Sequence, residues 1–116
     1  MSQENVEIVR RIYEAFNERD ADEAVELVSP RLSFQSEFDA LSGRHYEGRA
    51  GFRNYFRDMA EVWAEFHVEL GEIETVGDAV IVAYRERAIG RGSGLVVEAD
   101  GYELCRRAAL FGVPLF

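Results

Sequence analysis

The stretch from Phe66 to Cys105 constrains the fold most, because it reads as three consecutive β-strands joined by turns. Its centre, from Asp78 to Gly90, is rich in Val, Ile and Tyr and is bounded by turn residues, the usual signature of a strand. In this strand Val80, Val82, Tyr84 and Glu86 share one face, and Ile81, Ala83, Arg85 and Arg87 the other. Val76-Gly77-Asp78 is a hairpin signal before it, and the glycine-rich run from Gly90 to Gly94 is a turn after it. That run is not a phosphate loop, since it lacks the Lys-Ser/Thr ending and no helix follows. Leu95 to Cys105 forms the third strand. Upstream, Phe66 to Leu70 alternates cleanly, with His67 and Glu69 opposite Phe66 and Val68, so His67 is expected to face outward toward a neighbouring acid. Gly71 interrupts the alternation and marks a candidate bulge, which would help the sheet curl.

The segment before this sheet supplies helices that need a surface to pack on. Val6, Val9, Ile12, Tyr13 and Phe16 recur at three- and four-residue spacing, predicting an amphipathic helix over Glu4–Arg19. Tyr13 lies on its apolar stripe, either as a core tyrosine with a satisfied hydroxyl or pointing into a cavity. Asp20 and Glu23 have capping-box spacing before a short helix over Ala21–Val28, which Ser29-Pro30 stops. Leu32, Phe34 and Phe38 alternate with polar residues and predict a half-buried strand over Arg31–Phe38. Ser36 shares a side with Phe34 and Phe38, as tolerated packing or as a pocket group. Asp39–Gly51 reads as loop, in which Arg44, His45 and Arg49 beside Tyr46 are a solvated surface or an anion-contacting rim. A third helix begins near Arg49 and carries Phe52, Tyr55, Phe56, Met59 and Trp63 on one stripe, with Arg53 and Arg57 facing out.

Bulk composition excludes several functions. The chain has 116 residues, enough for one domain with a real core. Its 22 acids against 13 bases give a net charge of −9, which opposes binding to nucleic-acid backbone or anionic membrane. It carries one cysteine, Cys105, and two isolated histidines, so neither a disulfide nor a metal-ligand cluster is expected. No apolar run approaches a membrane span, and the acidic N-terminal segment does not read as a signal peptide. A cytoplasmic location is the expectation.

The series of elements resembles the NTF2-like superfamily, and more narrowly its SnoaL-like branch. Carrying the likeness are the helix ending in Tyr13-Glu14-Ala15-Phe16-Asn17, the second helix at Asp20–Ala24, and Tyr46–Phe56 leading into the third helix. The Gly77-Asp78 turn and the Gly90–Gly94 link add to it, so the likeness spans roughly residues 4 to 105. The resemblance implies an α+β cone, in which a curved antiparallel sheet packs on about three N-terminal helices and encloses an apolar pocket. It also implies dimerisation through the sheet. Pocket lining then falls to Tyr13, Phe16, Phe34, Ser36, Phe56, Trp63 and Tyr84. The superfamily holds polyketide cyclases, ketosteroid isomerases, dehydratases, epoxide hydrolases and members without known chemistry, so fold alone names no reaction.

Carried over without gaps from Asp20, the ketosteroid isomerase pattern falls at Ile12, Ser36 and Glu103, and only the third keeps an acid; an offset of one residue would bring in Tyr13 and Glu37. A base beside the substrate is thus absent from the ungapped pattern, which argues against a steroid-isomerase mechanism. The SnoaL-like cyclases rely on a carboxylate working in an apolar pocket, and Glu103 is the first candidate for that role, followed by Glu86 and Asp100. Against each stands the plainer alternative of a strand carboxylate in solvent or paired with an arginine, since Arg85 and Arg87 are close. An epoxide hydrolase would need an acid–Arg–acid trio, and strand parity puts Arg85 and Glu86 on opposite faces.

The end of the chain departs from the family. Arg106–Phe116 has no acid, no hairpin turn, and a proline unsuited to a central strand, so the final strand is expected to be altered or missing. An open edge would then need a partner or the tail to cover it. The expectation as a whole is one domain over residues 1–116, a homodimeric small-molecule enzyme or binder with an apolar pocket, using carboxylate acid/base chemistry of the polyketide-cyclase, isomerase or hydrolase kind on a small apolar molecule, without metal or organic cofactor. The alternative is a non-catalytic ligand-binding or protein-interaction module.

Overall fold

A computed structural model of the chain describes residues 2–34, 45–77 and 79–106. Its elements run in the order α1 (Ser2–Asn17), α2 (Ala21–Leu27), β1 (Ser33–Phe34), β2 (Tyr46–Glu47), α3 (Gly48–Val62), β3 (Trp63–Val76), β4 (Ala79–Gly90) and β5 (Val96–Arg106). β1 and β2 form a small antiparallel pair, and β3, β4 and β5 form an antiparallel sheet with β4 in the middle. This is the α+β arrangement expected of an NTF2-like cone. No strand beyond β5 occurs among the described residues, and most of the atypical tail lies outside them.

The helix ends differ slightly from the sequence expectation, and each has a local cause. α1 stops at Asn17 because Arg19 adopts a left-handed backbone, φ 60°. The Arg19 amide donates to the Phe16 carbonyl at 3.1 Å and the Asp20 amide to the Ala15 carbonyl at 2.8 Å, the paired bonds of a Schellman ending. Asp20 then caps α2, its carboxylate accepting from the Glu23 amide at 3.1 Å, as the capping-box spacing predicts. α3 starts inside the expected loop: Tyr46 and Glu47 pair with β1, and Gly48, φ +68°, turns the chain directly into the helix. Its amide donates to the Leu32 carbonyl at 2.7 Å. Trp63, expected on the α3 stripe, is instead the first residue of β3. There Arg91 of the β4–β5 turn donates to the carbonyls of Ala60 and Trp63 and closes the helix end.

The sheet keeps the parity expected of it. Val76 pairs with Ala79 across the two-residue turn, and the register slips between Leu70 and Ile73, so an extra residue is accommodated at the Gly71 bulge. Val80, Val82, Tyr84, Glu86 and Ala88 are buried beneath the helices, whereas Arg85 and Arg87 are exposed. The core between sheet and helices is strongly aromatic. Phe16 lies 5.1 Å from Phe66 and 5.4 Å from Phe56, both edge-on, and 6.0 Å from Tyr55 in a stacked pair. His67 is exposed, as its parity predicts.

One side chain couples α1 to the sheet. Asn17 Nδ2 donates to the Val68 carbonyl and Asn17 Oδ1 accepts from the Val68 amide, both at 2.8 Å. The amide thus pairs with β3 as a neighbouring strand would, satisfying backbone groups that face away from β4. Replacing Asn17 with Ala removes two hydrogen bonds and strands both groups, so urea unfolding should show a loss of about 1–3 kcal/mol. An unchanged midpoint would mean that water replaces the side chain without cost.

Candidate active site

Pairing across β4 and β5 decides which acids share a surface. Cys105 opposes Val80, Glu103 opposes Val82, Gly101 opposes Tyr84 and Ala99 opposes Glu86. In an antiparallel pair opposed residues point to the same side, so Glu103, Glu86 and Tyr84 all belong to the inner face that the helices cover. Asp100 does not. It opposes Arg85 on the outer face and accepts two hydrogen bonds from that guanidinium, at 2.7 and 3.3 Å. The bond to Arg85 holds the Asp100 carboxyl below its ordinary range, and both groups are exposed. Asp100 is therefore an ordinary surface carboxylate, the plainer of its two alternatives.

Glu103 is different in kind. Its Oε2 is shut off from solvent and has no hydrogen-bond partner among the described residues. Its neighbours by register, Val80, Val82 and Cys105, are all buried. Among the described residues no group stabilises a negative charge there, and burial raises its pKa from 4.5 to about 8. The carboxyl is thus roughly nine-tenths protonated at neutral pH, a donor where an ordinary glutamate would be a charged acceptor. Burial, and then the charge of Glu103, push the adjacent Cys105 thiol upward as well. Glu86 is also buried, two inner-face positions further along the sheet.

The other expected lining residues are distributed as follows. Tyr13 is partly buried on α1, with its hydroxyl enclosed and lacking a hydrogen-bond partner among the described residues. Of its two alternatives, the satisfied core hydroxyl is the one not seen. Phe16, Phe56 and Trp63 are partly buried against the core, and Tyr84 is within it. Phe34 lies in β1, and Ser36 lies outside the described residues. Tyr46, placed in a loop by its sequence, is buried and donates from its hydroxyl to Asp58 Oδ2 at 2.8 Å. His45 shares a 2.7 Å hydrogen bond with Ser33, so part of the basic loop cluster is tied down. Arg49 reaches the Val28 carbonyl at 3.1 Å and serves the packing of α3.

The outer face carries a separate feature, a solvent-open depression of about 460 Å³ lined by Glu69, Gly71, Ala83, Arg85, Asp100 and Tyr102 among others. It follows from the small residues on that surface, and its charged groups are already paired in part. Among the described residues no cluster of His, Cys, Asp or Glu is arranged to hold a metal ion. No described helix is long and apolar enough to cross a membrane.

Three helices packed on a three-stranded antiparallel sheet are the α+β arrangement of the NTF2-like class. Within it the chain belongs to the SnoaL-like domain family, whose model matches residues 9–109. Similar solved structures share this fold at low identity. An NTF2-like protein of unknown function from Burkholderia pseudomallei is 21% identical with a TM-score of 0.78, covering 93% of this chain and 87% of its own. The epoxide hydrolase/cyclase-like enzyme SalBIII, of pyran ring formation in the polyether salinomycin, is 21% identical with a TM-score of 0.79, covering 98% and 89%. A putative polyketide cyclase from Xanthomonas campestris pv. campestris is 18% identical with a TM-score of 0.75, covering 98% and 90%. No curated protein matches the chain.

The state of Glu103 has a thermodynamic consequence. The unfolded chain releases this proton near pH 4.5 and the folded protein holds it to about pH 8, so between those values the native state binds more protons. Stability from this group is fully present below pH 4.5, falls by about 1.4 kcal/mol per pH unit, and levels off above the folded value. Denaturation from pH 5 to 8 should show that fall in the parent and not in Glu103→Gln, which becomes the more stable protein at pH 8. Equal slopes would place the carboxyl in water. The Cys105 thiol, buried and held protonated, should react with a soluble disulfide reagent only at the rate of unfolding.

Proposed function

We propose that this protein takes a small, mostly apolar molecule on the inner face of its sheet and performs proton-transfer chemistry on it with Glu103. The observation that carries this reading is the buried Oε2 of Glu103, which lacks a partner among the described residues in a setting where an unpaired polar atom costs about 1–3 kcal/mol. A ligand oxygen would supply the missing partner. With its pKa raised to about 8, the carboxyl suits a general acid that donates to a carbonyl oxygen, and its conjugate base can take a proton back. The enclosed Tyr13 hydroxyl is a second polar group available to orient such a ligand.

Among reactions of this family, an isomerase- or cyclase-like proton transfer fits better than epoxide hydrolysis. Arg85, the arginine an acid–Arg–acid trio with Glu103 would need, is on the outer face and bound to Asp100. Support for the small-molecule reading also comes from the likeness to cyclase-like structures. The competing reading is a non-catalytic binding module in which Glu103 only recognises the ligand. A second copy is proposed to dock on the outer sheet face, where Tyr102 is 75% exposed and Val96 52% exposed. The acidic balance, net charge −9, supports a cytoplasmic location.

The test uses a panel of polycyclic ketones and hydroxyquinones, read by tyrosine and tryptophan fluorescence and by solvent hydrogen exchange next to the carbonyl. The parent protein should bind a member of the panel and accelerate its exchange, and Glu103→Gln should slow that exchange by about 10²–10⁴-fold. Binding without any acceleration in the parent would favour the binding module. Exchange unaltered in Glu103→Gln would remove Glu103 from the chemistry.

A further inference from the structure

Gly101 lies on the inner face of β5, opposite Tyr84 and one inner-face position from Glu103. A Cβ placed on it would stand 2.6 Å from the Tyr84 hydroxyl, 2.7 Å from Cζ and 3.2 Å from Cε2. The atoms approached are those at the far end of the ring. Tyr84 therefore reaches from β4 across to β5 and rests its phenol on the bare backbone of Gly101. An aromatic ring laid over a strand glycine in this way fills the space of the missing side chain. Any other residue at 101 would meet the ring, which places this glycine by close approach rather than by its backbone angle.

The consequence falls on Glu103. Its inner-face surroundings by register are Val82 directly opposite, Val80 and Tyr84 on the diagonals, and Cys105 and Gly101 along its own strand. Val80, Val82 and Cys105 are buried side chains that exclude water themselves. Gly101 has none to offer, so on that flank the exclusion depends on Tyr84. The other titratable groups in the core on this side of the sheet, among the described residues, are Cys105 on β5, Tyr84 and Glu86 on β4, Tyr13 on α1, Tyr46 on β2 and Tyr55 on α3. None of them is a cation able to offset a carboxylate.

We infer that Tyr84 is a positioning residue for Glu103, and that Gly101 is the residue that lets its ring close the open flank of β5 against water. The inference rests on the reading of Glu103 as the working group of the site. The covering surface is the ring, so the hydroxyl is dispensable to this role. Tyr84→Phe keeps the covering. Tyr84→Leu removes it while leaving an apolar side chain in the core, and Gly101→Ala removes it by displacing the ring.

The experiment is a carbon-13 NMR titration of the glutamate side-chain carboxyls in the parent and in the three variants, with Glu103 assigned through Glu103→Gln. The parent should titrate near pH 8. Tyr84→Phe should titrate with it, and Tyr84→Leu and Gly101→Ala should fall by at least about one pH unit, a tenfold loss of proton affinity. Folded Tyr84→Leu and Gly101→Ala proteins that retain the parent midpoint would overturn the inference while leaving Glu103 as the working group. A parent midpoint in the ordinary carboxylate range would instead overturn the reading of Glu103 itself. Should both variants fail to fold, the unaltered protein decides. Nuclear Overhauser contacts between the Tyr84 ring and the Glu103 side chain, without water contacts to the latter, support the covering role, and their absence refutes it.

Discussion

β4 is paired on both sides, and its register assigns every side chain of the sheet to the helices or to the outside. A slip of one residue would turn Val80, Val82, Tyr84 and Glu86 outward and bring Arg85 and Arg87 into the core, so burial on one face fixes the pairing. The two-residue connection between Val76 and Ala79 sets that register at one end. The bulge at Gly71 then takes up one residue, so that Leu70 and Ile73 both remain on the inner face beside Tyr84 and Val82. Without that extra residue, one half of β3 would present its apolar side to solvent. Glu103 is inside for the same reason: it opposes Val82, and Val82 cannot turn over without overturning the core.

The helices meet this face through contacts that constrain each other. Phe16 near the end of α1 touches aromatic rings from α3 and β3, and its neighbour Asn17 locks onto the Val68 backbone. The end of α1 is thereby held by apolar packing and by a directional polar pair at once, so neither sliding along the sheet nor rotation is free. α3 is held at its far end by Arg91, which reaches back from the turn between β4 and β5. The sheet thus fastens both helices that pack on β3, the strand beside β4.

Local chemistry made much of this legible in the sequence. Asp20 and Glu23 announced the α2 cap, Gly71 the bulge, and the alternation around Tyr84 the buried face, because each signal acts within a few residues of its effect. Trp63 and Tyr46 were harder for a physical reason. The helical spacing of α3 continues through Trp63, and what ends the helix is pairing with Gly90 and capping by Arg91, both remote in sequence. Tyr46 finds its partner Asp58 only after the chain has turned at Gly48. The acids divide in the same way. Asp100 and Glu103 are an odd number of positions apart, so parity alone forbids them to share a face, and that signal was present in the strand. Which of the two faces was dry depended on β4 and on the helices above it.

An inward acid on an edge strand has a second physical explanation, unrelated to chemistry. Sheet edges are protected from pairing with other chains by buried or exposed charges, and β5 has no partner beyond β4 among the described residues. That device requires a charge, whereas burial leaves Glu103 mostly neutral at pH 7. β5 also displays Glu98 and Asp100 to solvent on its outer face, where charge persists and can repel a second strand. Edge protection is therefore already provided by residues that carry no burial cost. A valine or leucine at 103 would match the surrounding Val80 and Val82 and relieve the desolvation that Glu103 bears. Neither edge protection nor packing against the described residues calls for a carboxyl there, in keeping with the recognition or proton transfer proposed for the inner face.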